Sequence, residues 1–258
     1  MKKLSLENNE IQESVFSNIL KSNLLETINN PFFTRLESEP ITPEGYKVFA
    51  IEKYSSIAYF ISLLENAENL TDLLSHDLAE VFRSNKLDEI GYFAGEIKHE
   101  YKHETWRLRS LESLGIFKED LAGTSSLETA RKHGEIMVEI SKSKDVYEVI
   151  GSLLFLEIFV VYEMKNLIRA FERDLPNLFP KDGYSYDQMP FNTHEYWYGH
   201  ALHDTWHYRS IEEAVLSMIE LSGASEESLK SLHKGISKTA EAKNLLYSEE
   251  LFNQMKSR

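Results

Sequence analysis

The apolar pattern is densest between Leu153 and Tyr162, a run broken only by Glu157. It is too short to span a bilayer and reads as the middle of a buried helix. No pair of alternating strands joined by an Asn-Gly or Asp-Gly turn is visible. Asp182-Gly183 sits instead in a proline-flanked loop. None of the six prolines falls between Pro43 and Pro176, as expected of long helices with short connections, because proline breaks helix interiors. Helix starts are marked by Thr42-Pro43-Glu44, by Ser125 with Glu128, by Asp145, and by Ser225 with Glu226 and Glu227. Gly115, Gly183 and Gly223 are candidate stops. The pattern predicts an all-α chain with helices over about 7–29, 44–67, 70–84, 87–114, 125–141, 145–174, 190–222 and 225–255. Residues 31–43 and 175–190 are left as loops. No linker or repeat divides the chain, so residues 1–258 are expected to form one domain.

Composition narrows the function. The net charge of −14 argues against binding nucleic acid or an anionic membrane surface. The absence of cysteine removes disulfides, iron–sulfur clusters and thiolate chemistry, so any metal must be held by His, Asp or Glu. No apolar stretch follows the two N-terminal lysines, so a cytoplasmic protein is expected.

Three segments carry unusual polar residues. In the predicted 87–114 helix, Glu96 and His103 are seven residues apart and share a face, with Glu100 between them. Their competing account is a solvated face of charge pairs. His200, Asp204 and His207 follow at i, i+4 and i+7, a single stripe flanked by Tyr196, Trp197, Tyr198 and Trp206. Those aromatics suggest a buried helix, where unpartnered imidazole and carboxylate are costly. Glu157 lies amid apolar residues and must be neutral, paired or metal-bound, with Glu163 as its competitor in that helix. Glu96, His103, Glu157, His200, Asp204 and His207 offer three carboxylates and three imidazoles, enough for two irons with nitrogen and oxygen ligands. Zinc fits less well, since a catalytic zinc needs only three protein ligands and a water. Tyr162, Tyr196 and Trp206 are candidate pocket walls or plain core aromatics. Arg107, Arg109, Arg169 and Arg209 are candidates to pair a substrate carboxylate.

These residues resemble the heme-oxygenase-like diiron oxidases and oxygenases, related in fold to TenA- and PqqC-like proteins. That pattern is Glu-x6-His, a later mid-helix Glu, then His-x3-Asp-x2-His. Glu96 and His103 match the first pair, with Glu100 as the alternative acid. Glu157 matches the central acid, and His200, Asp204 and His207 match the final triplet. The likeness covers roughly residues 90–210, and the triplet is its most specific part. It implies a heme-oxygenase-like bundle of seven to eight helices, often a homodimer. It also implies two Fe(2+) per chain that bind O2 when reduced, with room for an external electron donor. The substrate would be small, amino-acid-like or fatty-acid-like. The branch that consumes its own Tyr and Lys is not matched, since Leu167 stands where its lysine is expected and Lys165 is the nearest. The rival readings are a cofactorless PqqC-like oxidase, with the histidines as acid and base, and a non-catalytic metal- or small-molecule-binding helical protein. A thiaminase-type hydrolase lacks its cysteine here. A true heme oxygenase needs a histidine earlier than His76.

Overall fold

The computed structural model describes residues 16–54, 59–93, 96–97, 103–121, 127–179, 195–223 and 225–258. Among them the chain forms α1 (Ser17–Ile28), α2 (Pro31–Ser38), α3 (Pro43–Tyr54), α4 (Tyr59–Asp72) and α5 (His76–Ile90). A short antiparallel pair, β1 (Tyr92–Phe93) and β2 (Glu96–Ile97), follows. Then come α6 (His103–Ser113), α7 (Glu128–Ser141), α8 (Val146–Asp174), α9 (Glu195–Ser222), α10 (Glu226–Leu246) and α11 (Glu249–Lys256). No helix of the described residues is long and apolar enough to cross a membrane.

Helix α8 is the axis of the bundle. Asp145 caps it, its Oδ1 accepting from the backbone N–H groups of Tyr147 (3.0 Å) and Glu148 (3.3 Å). Its side chains are buried almost all round, including the whole run from Leu153 to Phe159. Such a helix must be covered on every side, and α9, α10, α4 and α2 do so. The approach of α10 is the tightest. Gly151 of α8 lies against the carbonyl of Leu232, and Gly235 of α10 lies against that of Glu148. Two glycines let the backbones meet where any side chain would hold them apart.

The last residue of α8 anchors the N-terminal half. Asp174 Oδ2 accepts from the Ile41 backbone N–H (2.9 Å), the Tyr46 hydroxyl (2.7 Å) and Arg173 (2.6 Å). The burial that would raise its carboxyl is outweighed by these donors, so its pKa falls below the usual carboxylate range. Asp174→Ala is expected to cost about 2 kcal/mol in urea unfolding, because it strands a buried hydroxyl and a backbone donor. The loss should fade as the pH falls through the depressed pKa of Asp174, where the wild-type carboxyl is itself protonated. An unchanged midpoint at neutral pH would show that this contact carries no stability.

The structure corrects several expected elements. Residues 31–43 contain α2, started by Asn30, whose side chain accepts from Phe33 N–H (3.2 Å), and by Pro31 at the first helical position. The expected 44–67 helix corresponds to α3 and α4, and residues 55–58 between them lie outside the described residues. The expected 70–84 helix is α5, shifted to 76–90. The expected 225–255 helix is also two, with Ser248 capping α11 through Leu251 N–H (3.2 Å). The largest difference lies at 87–114. Helix α5 ends at Gly91 in the left-handed conformation (φ 71°), and the β1–β2 pair intervenes before α6 starts at His103. No strand was expected, and among the described residues one short antiparallel pair is present. The expected stops at Gly115 and Gly223 do carry positive φ. The Ser125 cap and Gly183 lie outside the described residues.

Candidate metal centre

Four helices bring the polar residues together. The end of α5 carries Asp88 and Glu89, the start of α6 carries His103, the middle of α8 carries Glu157, and α9 carries His200, Asp204 and His207. They form two groups of three, Glu89 with His103 and His200, and Glu157 with Asp204 and His207. Within each group the three potential ligand atoms lie within 4.8 Å of one another.

The first group is held by neighbours of known geometry. His103 Nδ1 is 2.7 Å from Glu89 Oε2, and the two imidazole rings of His103 and His200 sit 4.8 Å apart between centroids. His200 Nδ1 is 2.6 Å from the Tyr196 carbonyl oxygen one turn earlier in α9. A carbonyl only accepts, so Nδ1 carries the proton and Nε2 keeps its lone pair. Burial, then the neighbouring His103, pushes the His200 pKa down to about 3, so this ring is neutral. Burial alone would raise the Glu89 carboxyl, but His103, His200 and His207 together lower it.

In the second group, burial pushes the Glu157 carboxyl up to about 7, with Glu89 adding to the rise and His207 and His103 opposing it. Asp204 is raised well above the usual range by burial and by the adjacent Glu157 and Glu89. Burial works against protonation of His207, yet Asp88, Glu157 and Glu89 raise it to about 9. His207 Nδ1 lies 3.8 Å from Glu157 Oε2, and its Nε2 lies 3.6 Å from Asp88 Oδ2.

The donor set fits a pair of divalent metal ions. Glu157 Oε1 and His207 Nδ1 are buried atoms with no hydrogen-bond partner. Such orphans are costly and rare. Burial first, and then the repulsion of neighbouring carboxylates, drives Asp204 and Glu157 toward protonation in the absence of a cation. Oxygen and imidazole ligands with no thiolate suit iron or manganese.

Five of the six residues expected at the site, His103, Glu157, His200, Asp204 and His207, fall in these two groups. Glu96 does not share a helix with His103. It lies in β2, paired with Phe93, because α5 stops at Gly91 and the shared helical face of residues 96–103 never forms. Its side chain, like Glu100 as a whole, is outside the described residues. Among the described residues, Glu89 is the carboxylate beside His103. The sequence does carry a signal for it: Asp88 and Glu89 sit in the last turn of α5 with no basic residue there, where the helix dipole disfavours negative charge. Glu89→Gln is therefore expected to lower metal content at the first group, measured by metal analysis after anaerobic loading, and Glu96→Gln to leave it unchanged. The reverse result would assign Glu96.

A cavity of about 410 Å³ opens onto both groups, lined by Glu89, His103, Glu157, His200 and Asp204 at one side. Tyr196 lines it, as expected of a pocket wall. Trp206 does not: it is 69% exposed, because its position lies about 240° around α9 from His200, away from the ligand stripe. Tyr162 is buried but faces away from the cavity, about 140° around α8 from Glu157. Of the four arginines, Arg107 lines the cavity, while Arg169 and Arg209 are exposed and Arg109 lies outside the lining.

Comparison with known proteins agrees with this architecture. No described protein family and no curated protein matches the sequence. Solved structures do match over nearly the whole chain. A CADD-like protein of unknown function from Nostoc punctiforme superposes with a TM-score of 0.66 at 15% identity, covering 93% of this chain and 98% of that one. A TenA homolog from Pseudomonas syringae pv. tomato gives 0.71 at 10% identity, with 98% and 99% covered. A domain of unknown function with a heme oxygenase-like fold from Shewanella denitrificans gives 0.65 at 15% identity, with 92% and 90% covered. This chain is an all-α protein with the heme-oxygenase-like fold, placing two His/carboxylate groups at its centre.

Proposed function

We propose that this protein is a non-heme diiron enzyme that uses O2 to oxidise a small organic substrate. The observation that carries this reading is the pairing of two three-residue His/carboxylate groups, with orphaned ligand atoms, beside one cavity. Glu89, His103 and His200 would hold one iron, and Glu157, Asp204 and His207 the other. The two irons would supply O2 binding and reduction. The protein's own part is positional. The Tyr196 carbonyl fixes the His200 tautomer so that Nε2 keeps the lone pair that a metal would take. Asp88 steadies His207 from outside the ligand set. Leu156, Val160 and Met164 keep water from the cavity wall between the ligands and the substrate. The likeness to a TenA homolog suits a cofactorless enzyme of the same fold equally well, in which His200 and Glu157 would move protons directly.

Anaerobic ferrous titration with metal analysis, followed by O2 mixing, tests the reading. About two irons per chain, oxidised on exposure to O2, are expected from a site of two such ligand sets. An absence of specific iron binding would sink it, and O2 consumption by iron-free protein with substrate would move the assignment to the cofactorless enzyme.

A further inference from the structure

The cavity is charged unequally along its length. Away from the carboxylate groups it is lined by Lys53 of α3, Arg107 of α6 and Lys243 of α10, three cations from three helices. Lys53 and Lys243 are 4% and 5% exposed. One buried carboxylate, Glu163 of α8, lies among them, and its Oε1 pairs with Lys53 Nζ. The Lys243 ammonium donates to the Tyr59 hydroxyl (3.2 Å) and has no ion pair among the described residues. The Arg107 guanidinium lies 4.9 Å from the centroid of the Tyr54 ring, and its buried Nε has no hydrogen-bond partner. The other acid on this side, Glu104, is exposed at the rim. Among the described residues, one buried carboxylate thus faces three cations.

The two ends differ in the sign of the charge that lines them. Lys53 feels Lys243 and Arg107, and its ammonium is destabilised first by burial and then by both of them. Glu157 and Asp204 are shifted by burial and by residues of the metal groups, and of those groups His200 also feels Lys53. Burying unbalanced cations is costly unless something compensates them. Glu157 and Glu163 are six residues apart on α8, which separates the ends by about 9 Å along the helix. The wall between them is apolar, made by Leu156, Val160 and Met164.

We propose that Lys243, Arg107 and Lys53 form an anion subsite, so that the substrate is a small molecule with one carboxylate or phosphate-type end and an apolar body. The anion seats among the three cations, and the body runs along α8 and presents its far end to the metal groups. This assignment of substrate class rests on the diiron reading for the chemistry at that far end, but the subsite itself does not need metal.

Binding is measured by calorimetry on the metal-free full chain with three six-carbon probes: hexanoate, hexylphosphonate and the neutral hexanamide. At least one anionic probe is expected to bind at least about tenfold more tightly than hexanamide, as charge-assisted hydrogen bonds require. Whichever anion binds names the head group. Lys243→Met and Arg107→Met are each expected to weaken that probe by about tenfold or more on the same grounds. Iron uptake should stay unchanged in both variants. Arg107 is only half-buried, so its variant remains informative if Lys243→Met does not fold. Equal binding of anion and amide, no binding of any probe, or undiminished binding in Arg107→Met would overturn the subsite. Failure of the wild-type chain to take up iron, with anion binding intact, would remove the diiron reading and leave the subsite standing.

Discussion

Asp204→Asn is expected to stabilise the metal-free protein while halving its capacity for iron. Asp204 is 3% exposed, and burial with Glu157 and Glu89 nearby drives its carboxyl toward protonation. An amide of the same shape carries no charge to desolvate and repels neither neighbour, so a gain of about 2 kcal/mol at neutral pH follows from relief of that burial. For a chain of this length that corresponds to a rise in melting temperature of roughly 4–8 °C. The direction with pH is fixed by linkage. A carboxyl whose pKa is raised on folding costs stability as pH climbs above its unfolded value, so the advantage of Asn should vanish below about pH 4, where both states of the wild type are protonated. The same substitution removes an anionic ligand, and anaerobically loaded protein should retain about one iron per chain in place of about two. A variant that melts lower without metal, or that still loads fully, would show that Asp204 is a structural acid. Opposite signs for stability and metal content are the mark of a residue kept for its site.

Gly235→Ala should be the most damaging single methyl group in the core. A Cβ at this position would be driven into the Glu148 carbonyl of α8 and would crowd the Ser152 amide, and neither backbone group can retreat without moving the helix. The crossing is also tied by Ser152 Oγ, which donates to Glu148 O (2.9 Å) and lies within reach of Gly235 O (3.2 Å). Overpacking of this kind costs about 3 kcal/mol. That outweighs the gain of about 1 kcal/mol that alanine brings to a helix interior over glycine. Thermal unfolding should fall by several degrees at least, roughly 4–8 °C for the net loss. A midpoint equal to or above that of the wild type would mean that α8 and α10 do not meet there. Since α8 carries Glu157, metal content should fall with stability if the helix is displaced.

How much of this was legible in the sequence depends on how local each cause is. Helices α8 and α9 and the start of α10 could be read because Asp145 and Ser225 cap within four residues and the apolar run of α8 is continuous. The stripe His200–Asp204–His207 was legible for the same reason: backbone hydrogen bonds alone set its phase. The Glu96–His103 face was not, because it assumed that a helix passes through Gly91 and Gly95. Gly91 instead closes α5, and nothing within a turn of it forces that choice. Glu89 was missed because its role depends on where α5 packs against α9, a contact between residues more than a hundred positions apart. Trp206 was misplaced by treating aromatic content as burial, when its position, about a third of a turn from His200, faces solvent. Asn30-Pro31 was a readable helix start passed over among neighbouring prolines.

Helix α9 gives one side chain to the first metal group and two to the second. It therefore acts as a ruler whose divisions are peptide units. The offset between its contributions to the two positions is fixed by an unbroken ladder of main-chain bonds, about 10 Å between the levels of His200 and His207, and not by the packing of any side chain. Tilting or sliding this helix would shift both positions in concert, whereas inserting one residue between His200 and His207 would turn one half of the ruler by about 100° against the other. The geometry of the pair is thus the property of a single element, and the remaining helices need only meet it.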